Sequence, residues 1–291
     1  MQTYRRGQLT FDVSDSGPED APLIVLLHGF PQDRQAWAKV TPLLVDAGYR
    51  VIAPDQRGYS PGATPRKRTA YPLSQLAQDV IALIDAAGKE TAHVVGHDWG
   101  GAVIWQLAQA HADRIASATT LSTPHPEALL WAMRHSDQWR KSSYMALFQV
   151  PWVAERGVLR QLPEMYVKTG MSPEDAQKYA DRFSTPQSLT GPLGWYRSMA
   201  AGQLRAALPR RKRGGGRGDG HAPRDRSITV PMSYVWGTRD FALGREAAEK
   251  SAEFVSGPYE FIEIEGAGHW LPEVNAAEVA EAVLRRVRST S

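Results

Sequence analysis

Short apolar runs alternate with stretches of helical periodicity along the first part of this chain. Leu23–Leu27 is continuously apolar, which is typical of a strand buried on both faces of a parallel sheet. Residues 73–87 carry apolar side chains at helical spacing, and a strand at 91–95 is followed by a helix at 102–110. Further elements are predicted at 6–13 (an edge strand), 35–47 (a helix), Arg50–Pro54 and Ile115–Leu121 (strands). This alternation predicts an α/β fold with a mostly parallel sheet and right-handed crossovers.

The alternation breaks after residue 125. From 126 to 208 the chain is rich in aromatic residues and helical patterns and has no strand-like run. Strand and helix then alternate again, with strands predicted at 228–236 and 259–264 and helices at 243–255 and 274–288. The sequence therefore predicts a core formed by 1–125 and 227–291, a helical cap at 126–208, and a basic Gly/Arg-rich mobile loop at 209–226.

A Gly-His-Asp-Trp-Gly motif at 96–100 joins the strand at 91–95 to the helix after it. A Gly-x-Asp-x-Gly sequence in this context predicts the sharp turn called a nucleophile elbow, with Asp98 where serine is commoner. Such a turn strains the backbone of its central residue, and the flanking glycines let strand and helix approach closely. We therefore expect Asp98 at a helix N-terminus, where the helix dipole favours an anion.

An aspartate in this position does different chemistry from a serine. A carboxylate has a reference pKa of about 3.9, so it is anionic at neutral pH without a base to deprotonate it. Asp98 can attack a saturated carbon directly and form an alkyl ester with the enzyme. A histidine is then free to activate the water that cleaves this ester.

Asp240 and His269 follow the predicted strands at 228–236 and 259–264. Loops at the carboxyl ends of parallel strands converge on one crevice. The chain order nucleophile, acid, histidine is that of α/β-hydrolases. We expect Asp240 to accept a hydrogen bond from one ring nitrogen of His269, which fixes the tautomer and stabilises the imidazolium formed when water loses its proton.

A His-Gly-Phe-Pro motif at 28–31 follows the strand that supplies one oxyanion-hole donor in this fold. The backbone N–H groups of Phe30 and Trp99 are expected to hold the oxygen that becomes negative when water attacks the ester. One such donor typically contributes about 2.7–4 kcal/mol to transition-state stabilisation.

Over nearly its full length the chain resembles epoxide hydrolases of the α/β-hydrolase fold. The core motifs that carry the likeness lie at 28–31, 96–101, 122–126 and 268–270. Two segments of the predicted cap, 144–149 and 191–197, are similar to the segments that bear the two ring-opening tyrosines of that family. The resemblance implies Tyr144 and Tyr196 as ligands of the epoxide oxygen. The chain departs from the family at 209–226 and at Gln32, whose position is often acidic among relatives.

Tyrosine suits this role on chemical grounds. Opening an epoxide expels an alkoxide, a poor leaving group that needs a proton or a strong hydrogen-bond donor. A tyrosine hydroxyl, with a reference pKa of about 10, stays protonated at neutral pH and can supply it.

These features predict an epoxide hydrolase that converts a hydrophobic epoxide plus water into a vicinal diol. Asp98 forms a hydroxyalkyl ester with the substrate, and water activated by His269 hydrolyses that ester. The candidate walls of an apolar substrate pocket are Phe148, Trp195, Phe241 and Trp270.

Two other functions stay open. A haloalkane dehalogenase would share the aspartate nucleophile, but the resemblance to that family would predict a side-chain donor such as Asn or Trp at Phe30, and no pair of cap tyrosines. A non-catalytic binding protein on this scaffold would be expected to have lost part of the triad. A serine-type esterase is excluded because position 98 holds aspartate.

Composition and charge limit the kinds of cofactor and binding partner that this protein is expected to have. The 291 residues include no cysteine, which excludes disulfides and thiolate metal sites, and the expected chemistry needs no metal and no cofactor. The formal charge is +3, and 209–226 holds seven basic residues against two acidic ones, so the basic character belongs to one loop and argues against a nucleic-acid partner. No signal-peptide pattern or membrane-length apolar run is present, which predicts a cytoplasmic protein without a membrane partner. The oligomeric state, with a homodimer as one option, stays open.

Overall fold

The computed structural model describes residues 1–207 and 227–290. One sheet of eight strands runs through it, in the spatial order β1-β2-β4-β3-β5-β6-β7-β8. The strands are β1 (Thr3–Arg6), β2 (Leu9–Ser16), β3 (Leu23–Leu27), β4 (Arg50–Pro54), β5 (Ala92–His97), β6 (Ile115–Leu121), β7 (Met232–Gly237) and β8 (Tyr259–Ile264). β3 to β8 pair in parallel and β2 is antiparallel to β4, so the predicted α/β-hydrolase fold class is confirmed.

The N-terminal region forms a hairpin, and the prediction of one edge strand at 6–13 is wrong. β1 lies at the edge, whereas β2 pairs with both β1 and β4. Gly7 adopts a positive φ of 58° between the two strands, a conformation that costs glycine little. Tyr4 and Phe11 stack across the hairpin with ring centroids 4.6 Å apart, which buries the face that β1 shares with the core.

Twelve α-helices are described. They are α1 (Thr41–Asp46), α2 (Leu73–Ala86), α3 (Trp99–Ala110), α4 (Pro126–His135), α5 (Gln138–Lys141), α6 (Tyr144–Leu147), α7 (Val153–Lys168), α8 (Pro173–Arg182), α9 (Pro186–Ala207), α10 (Arg245–Lys250), α11 (Leu271–Val274) and α12 (Ala276–Arg288). None of these helices is both long enough and apolar enough to cross a membrane.

Proline divides two of the predicted elements. The helix expected at 35–47 is a short 3-10 turn followed by α1, whose first turn contains Pro42. The strand expected at 228–236 begins only at Met232, because Pro231 has no N–H to donate to a neighbouring strand.

Strand β3 illustrates how the sheet separates two cores. Leu23, Val25 and Leu27 pack into one cluster with α2 and α3, whereas Ile24 and Leu26 face a second cluster that contains α1, α11 and α12. All five side chains are buried, as expected of a strand covered on both faces. Because β3, β5, β7 and β8 run parallel to one another, their carboxyl ends lie at the same edge of the sheet.

Helices α4 to α9 lie between β6 and β7 along the chain, and no strand occurs within 126–207. We call this segment the helical insertion. Aromatic side chains of the insertion, among them Phe148 and Trp195, join the same apolar cluster as α2 and α3. The division into a core and a cap with the boundaries given above stays a prediction, and the mobile loop expected at 209–226 lies outside the described residues.

Candidate active site

Asp98 occupies the turn between β5 and α3. Its backbone angles, φ 49° and ψ −119°, lie in a region that side chains other than glycine rarely adopt and that typically costs about 1–3 kcal/mol. A Cβ atom on Gly96 would collide with the backbone of Gly100, and one on Gly100 would collide with the carbonyl of Leu27. The turn can therefore be this tight only because both flanking residues are glycine.

Backbone N–H groups lie beside the Asp98 carboxylate. The N–H of Phe30 donates to Asp98 Oδ1 at 2.7 Å, and the N–H of Trp99 is close enough to the carboxylate to act on its pKa. Burial raises the pKa of Asp98, whereas His269 and these two N–H groups oppose that rise. Both residues predicted for the oxyanion hole thus lie against Asp98.

His269 lies between two carboxylates. Its Nδ1 is 2.9 Å from Asp240 Oδ2 and 3.1 Å from Oδ1, and its Nε2 is 3.9 Å from Asp98 Oδ2. Asp240 is itself fixed, because its Oδ1 accepts hydrogen bonds from the N–H groups of Ala242 and Leu243. The structure therefore brings the three predicted triad residues together in the order Asp240, His269, Asp98.

Burial and neighbouring charges have opposite effects on the pKa values of His269 and Asp240. Burial alone would lower the pKa of His269, but Asp240 and then Asp98 raise it to about 9. For Asp240, burial acts to raise the pKa, but His269 and the two backbone N–H groups hold it below its ordinary value. At neutral pH the imidazolium form of His269 is therefore favoured as long as Asp98 is an anion.

Tyr144 and Tyr196 lie near Asp98, on two different helices of the insertion. Tyr144 begins α6 and Tyr196 lies within α9, with their ring centroids 6.3 Å apart. Tyr196 packs edge-on against Trp99 at 4.8 Å and against Phe30 at 5.2 Å. Burial raises the pKa of both hydroxyls, and the Asp98 charge raises it further, so both stay protonated at neutral pH.

The four predicted pocket walls have different surroundings. Phe148 packs against Phe30 and both tyrosines, whereas Trp195 is buried behind Trp99 and donates its indole N–H to the carbonyl of Arg57. Trp270 packs against His269 and donates its indole N–H to Thr169 Oγ1. Phe241 covers His269 at 5.3 Å but is 41% exposed, so it lies on the solvent side of the triad.

A buried ion pair fixes the two tyrosine-bearing segments to each other. Arg197, next to Tyr196, donates from Nε to the carbonyl of Phe148 at 2.9 Å. Its guanidinium also binds both oxygens of Glu155 at 2.8 and 3.1 Å. Such a bidentate pair holds a defined geometry, so it positions the backbone on both sides of the aromatic cluster.

A second hydrogen-bond network behind the triad was not predicted. Gln32 accepts from the N–H of Gly29 at 2.9 Å and donates to Glu273 Oε1 at 2.6 Å. His97 bridges Gln32 Oε1 and the backbone carbonyl of His269, at 2.8 Å to each. This network connects the loop at 28–32, which carries Phe30, to the backbone of His269. Gln32 and Glu273 are 241 positions apart, and no pattern in the sequence indicates that they meet.

Glu273 is a buried carboxyl group with an incomplete set of partners. Its Oε1 accepts from Gln32 and from the hydroxyl of Tyr179 at 2.7 Å, whereas Oε2 has no hydrogen-bond partner among the described residues. Burial raises the pKa of Glu273 to about 7, against the effect of these two donors. The folded protein therefore holds this proton more tightly than the unfolded chain does.

The Glu273 proton predicts a pH dependence of stability. Because the folded-state pKa is raised, the free energy of unfolding should fall as pH rises from about 4.5 to about 7. In Glu273→Gln, which mimics the protonated acid, this decline should be smaller by on the order of 3 kcal/mol. Urea unfolding at several pH values measures it, with exposed Glu281→Gln as the control. An unchanged decline in Glu273→Gln would contradict the assignment.

Metal ligands are not clustered in the part of the chain that the structure describes. Within it, no group of three or more His, Cys, Asp or Glu side chains could hold a metal ion. The functional groups that these residues bring to the site are two carboxylates, an imidazole, two phenols and backbone N–H groups.

Comparison with known proteins agrees with this architecture. A family model described as alpha/beta hydrolase fold matches residues 22–276. The chain is 34% identical to the AB hydrolase superfamily protein YfhM of Bacillus subtilis, over 97% of this chain and 95% of that protein. It is 31% identical to epoxide hydrolase A of Mycobacterium tuberculosis, over 94% and 92%. The crystal structure of epoxide hydrolase A from Mycobacterium thermoresistibile superposes with a TM-score of 0.78 at 28% identity, over 98% and 97%.

The parallel sheet and the family match define the class: the chain belongs to the α/β-hydrolase family. Within that family, the resemblance to epoxide hydrolases that the motifs predicted is confirmed by these relatives.

Proposed function

We propose that this protein hydrolyses a hydrophobic epoxide to a vicinal diol through a covalent ester on Asp98. The observation that carries the proposal is the pairing of Tyr144 and Tyr196 close enough to Asp98 for its charge to raise the pKa of both hydroxyls, while Asp98 Oδ1 accepts a backbone hydrogen bond from Phe30. The epoxide hydrolases among the relatives support the same reaction class.

In the first step, Asp98 Oδ2 attacks a ring carbon of the epoxide. Oδ1 keeps its hydrogen bond from the N–H of Phe30, with the N–H of Trp99 near the same carboxylate, and becomes the carbonyl oxygen of the ester. As the carbon–oxygen bond of the ring breaks, its electron pair moves to the epoxide oxygen, which takes a proton from a tyrosine hydroxyl. The two phenols hold that oxygen on the face opposite the attacking carboxylate, as in-line displacement requires.

In the second step, water cleaves the ester. Esterification removes the negative charge of Asp98, one of the causes that raise the pKa of His269, so the neutral imidazole becomes more accessible. The 3.9 Å between His269 Nε2 and Asp98 Oδ2 leaves a place for water to bridge them. His269 takes a proton from this water as the water oxygen bonds to Asp98 Cγ, and the developing negative charge falls on Oδ1. When the C=O bond re-forms, the bond between Cγ and Oδ2 breaks, and the diol leaves with Oδ2 as its hydroxyl oxygen after taking the proton from His269. The carboxylic acid left on Asp98 loses its proton, which solvent returns to the tyrosinate.

The alternative functions lack comparable support. A dehalogenase needs N–H donors around its halide, but the ring of Phe30 cannot donate and packs against Phe148 and Tyr196. A non-catalytic binding protein would have no need for the full set of contacts that Asp240, His269 and Asp98 make. A haloalkane dehalogenase remains the second candidate because it would use the same Asp98.

A side-by-side turnover assay tests the proposed function. Purified protein would be incubated with a panel of aryl and alkyl epoxides, with diol detected, and with matched haloalkanes, with halide detected. We expect diol release and no halide release. Halide release without diol would contradict the proposal and favour the dehalogenase.

The tyrosines can be tested separately from the triad. In the Tyr144→Phe, Tyr196→Phe double variant, ring opening is expected to slow by roughly 10³-fold, because general acid catalysis typically contributes 10² to 10⁴. Single-turnover formation of the enzyme ester measures it. Tyr49→Phe, which changes a tyrosine outside the site, is the matched control. Epoxide opening at the wild-type rate in the double variant would remove the tyrosines from the mechanism.

A further inference from the structure

Gln138, the first residue of α5, is a buried amide that joins the helical insertion to the core. It is 1% exposed, although it carries a polar side chain. Its Oε1 accepts from the N–H of Gly244 at 2.8 Å, and its Nε2 donates to the carbonyl of Ala242 at 2.8 Å. Nε2 also donates to Ser142 Oγ at 2.9 Å. One side chain of the insertion thus satisfies two backbone groups of a core loop.

That core loop is the one that fixes Asp240. The N–H groups of Ala242 and Leu243 donate to Asp240 Oδ1, and the carbonyl of Leu243 accepts from the indole of Trp236 at 3.0 Å. Gln138 contacts the carbonyl of Ala242, which belongs to the same peptide group as the N–H of Leu243, and the N–H of Gly244, which belongs to the same peptide group as the carbonyl of Leu243. The amide therefore constrains the peptide groups that hold the Asp240 carboxylate against His269.

At its other end, Gln138 is continuous with the segment that carries Tyr144. The N–H of Ser142 donates to the carbonyl of Gln138 at 2.9 Å, and the N–H of Met145 donates to the carbonyl of Ser142 at 3.1 Å. Tyr144 lies between these turns, six positions after Gln138. A displacement of this part of the insertion would act on the Asp240 loop through the Gln138 amide.

We propose that Gln138 is a positioning residue. It fixes the position of the Tyr144 segment relative to the Asp240 loop, and so the position of the ring-opening donor Tyr144 relative to the ester-hydrolysing base His269. The proposal rests on the proposed function. Glutamine fits this place because both a donor and an acceptor are required, and no other uncharged side chain of this length supplies both. Without it, the buried carbonyl of Ala242 and N–H of Gly244 would lose their partners, which is costly in a dry interior.

The test compares three variants with the wild type. Gln138→Met keeps the length of the side chain and removes both loop bonds, whereas Gln138→Glu keeps an acceptor for Gly244 and removes the donor to Ala242. Ser142→Ala is the matched control, because it removes the third bond of the same amide and leaves both loop bonds intact. Ring opening and ester hydrolysis are measured separately by single-turnover kinetics with an aryl epoxide, from pH 5 to pH 10.

In Gln138→Met, ester hydrolysis is expected to slow by about 10- to 100-fold, the cost of a misplaced catalytic group. Its pH midpoint should also move to lower pH, because a loosened Asp240 supports the imidazolium of His269 less well. The rate of ester hydrolysis in Gln138→Glu should lie between those of Gln138→Met and the wild type, and Ser142→Ala should keep the wild-type midpoint. Unchanged midpoints with an equal loss in both steps would indicate a merely structural role and overturn the proposal. An equal shift in Ser142→Ala would also overturn it.

A second readout does not depend on turnover. The His269 imidazole is titrated by nitrogen-15 NMR in the wild type and in Gln138→Met, which adds no charge beside the Asp240 loop, with His269→Gln used for assignment. A lowered His269 pKa in Gln138→Met supports the coupling, and an identical titration overturns it. A wild type that makes no diol would refute the proposed function, whereas this titration would still decide whether Gln138 acts on the triad.

Discussion

Replacement of Asp98 by alanine is expected to lower diol formation by about 10⁴-fold or more, the scale typical for loss of a covalent nucleophile. No covalent adduct should form, because alanine has no carboxylate oxygen in place of Asp98 Oδ2, which lies 3.9 Å from His269 Nε2 in the wild type. The measurement is turnover of an epoxide that the wild type accepts, together with the intact mass of the protein after a single turnover.

The matched control for this variant is Asp85→Ala, which removes an exposed carboxylate paired with Arg114 on the surface. It should retain wild-type turnover. Circular dichroism would establish that Asp98→Ala is folded, since alanine must adopt the same strained turn. Asp98→Asn is a less clean variant, because slow deamidation would regenerate the aspartate. Full activity in Asp98→Ala would refute the covalent mechanism and leave only the fold assignment standing.

His269→Gln is expected to arrest the reaction at the ester. Glutamine can still donate a hydrogen bond toward Asp240 but cannot take a proton from water, so ring opening should proceed while hydrolysis slows by roughly 10³-fold or more. Intact-mass spectrometry during a single turnover should find the protein heavier by the mass of the epoxide. The adduct should map to the peptide that contains Asp98.

His135→Gln, at the exposed end of α4, is the control for the histidine substitution and should turn over normally. The wild type should accumulate less ester as pH rises, because deprotonation of His269 supplies the base. His269→Gln could instead form diol at the wild-type rate with no adduct at any time. This result would exclude His269 as the base, and it would also exclude slow ester hydrolysis in this variant.

The α/β-hydrolase class could be derived from the sequence because its signals are local. The continuous apolar run Leu23–Leu27 reports burial on both faces of a sheet, and the glycines at 96 and 100 report a close strand–helix turn. The order of Asp98, Asp240 and His269 along the chain, nucleophile then acid then histidine, is the order found in α/β-hydrolases. Each of these signals depends on residues adjacent in sequence or on a fixed order of elements, which periodicity and motifs encode.

The tertiary structure decided what depends on distant residues meeting. Gln32 contacts Glu273, which is 241 positions away in the sequence, and Gln138 contacts a loop more than a hundred positions away in the sequence. The surroundings of the aromatic residues belong to the same category: Phe241 is half-exposed over His269, whereas Trp195 is buried behind Trp99. A side chain's hydrogen-bond partner and burial follow from packing in three dimensions, and so do the pKa values of His269 and Glu273. The sequence by itself therefore determined the fold and the candidate reacting groups, and only the folded structure decided how those groups are held and charged.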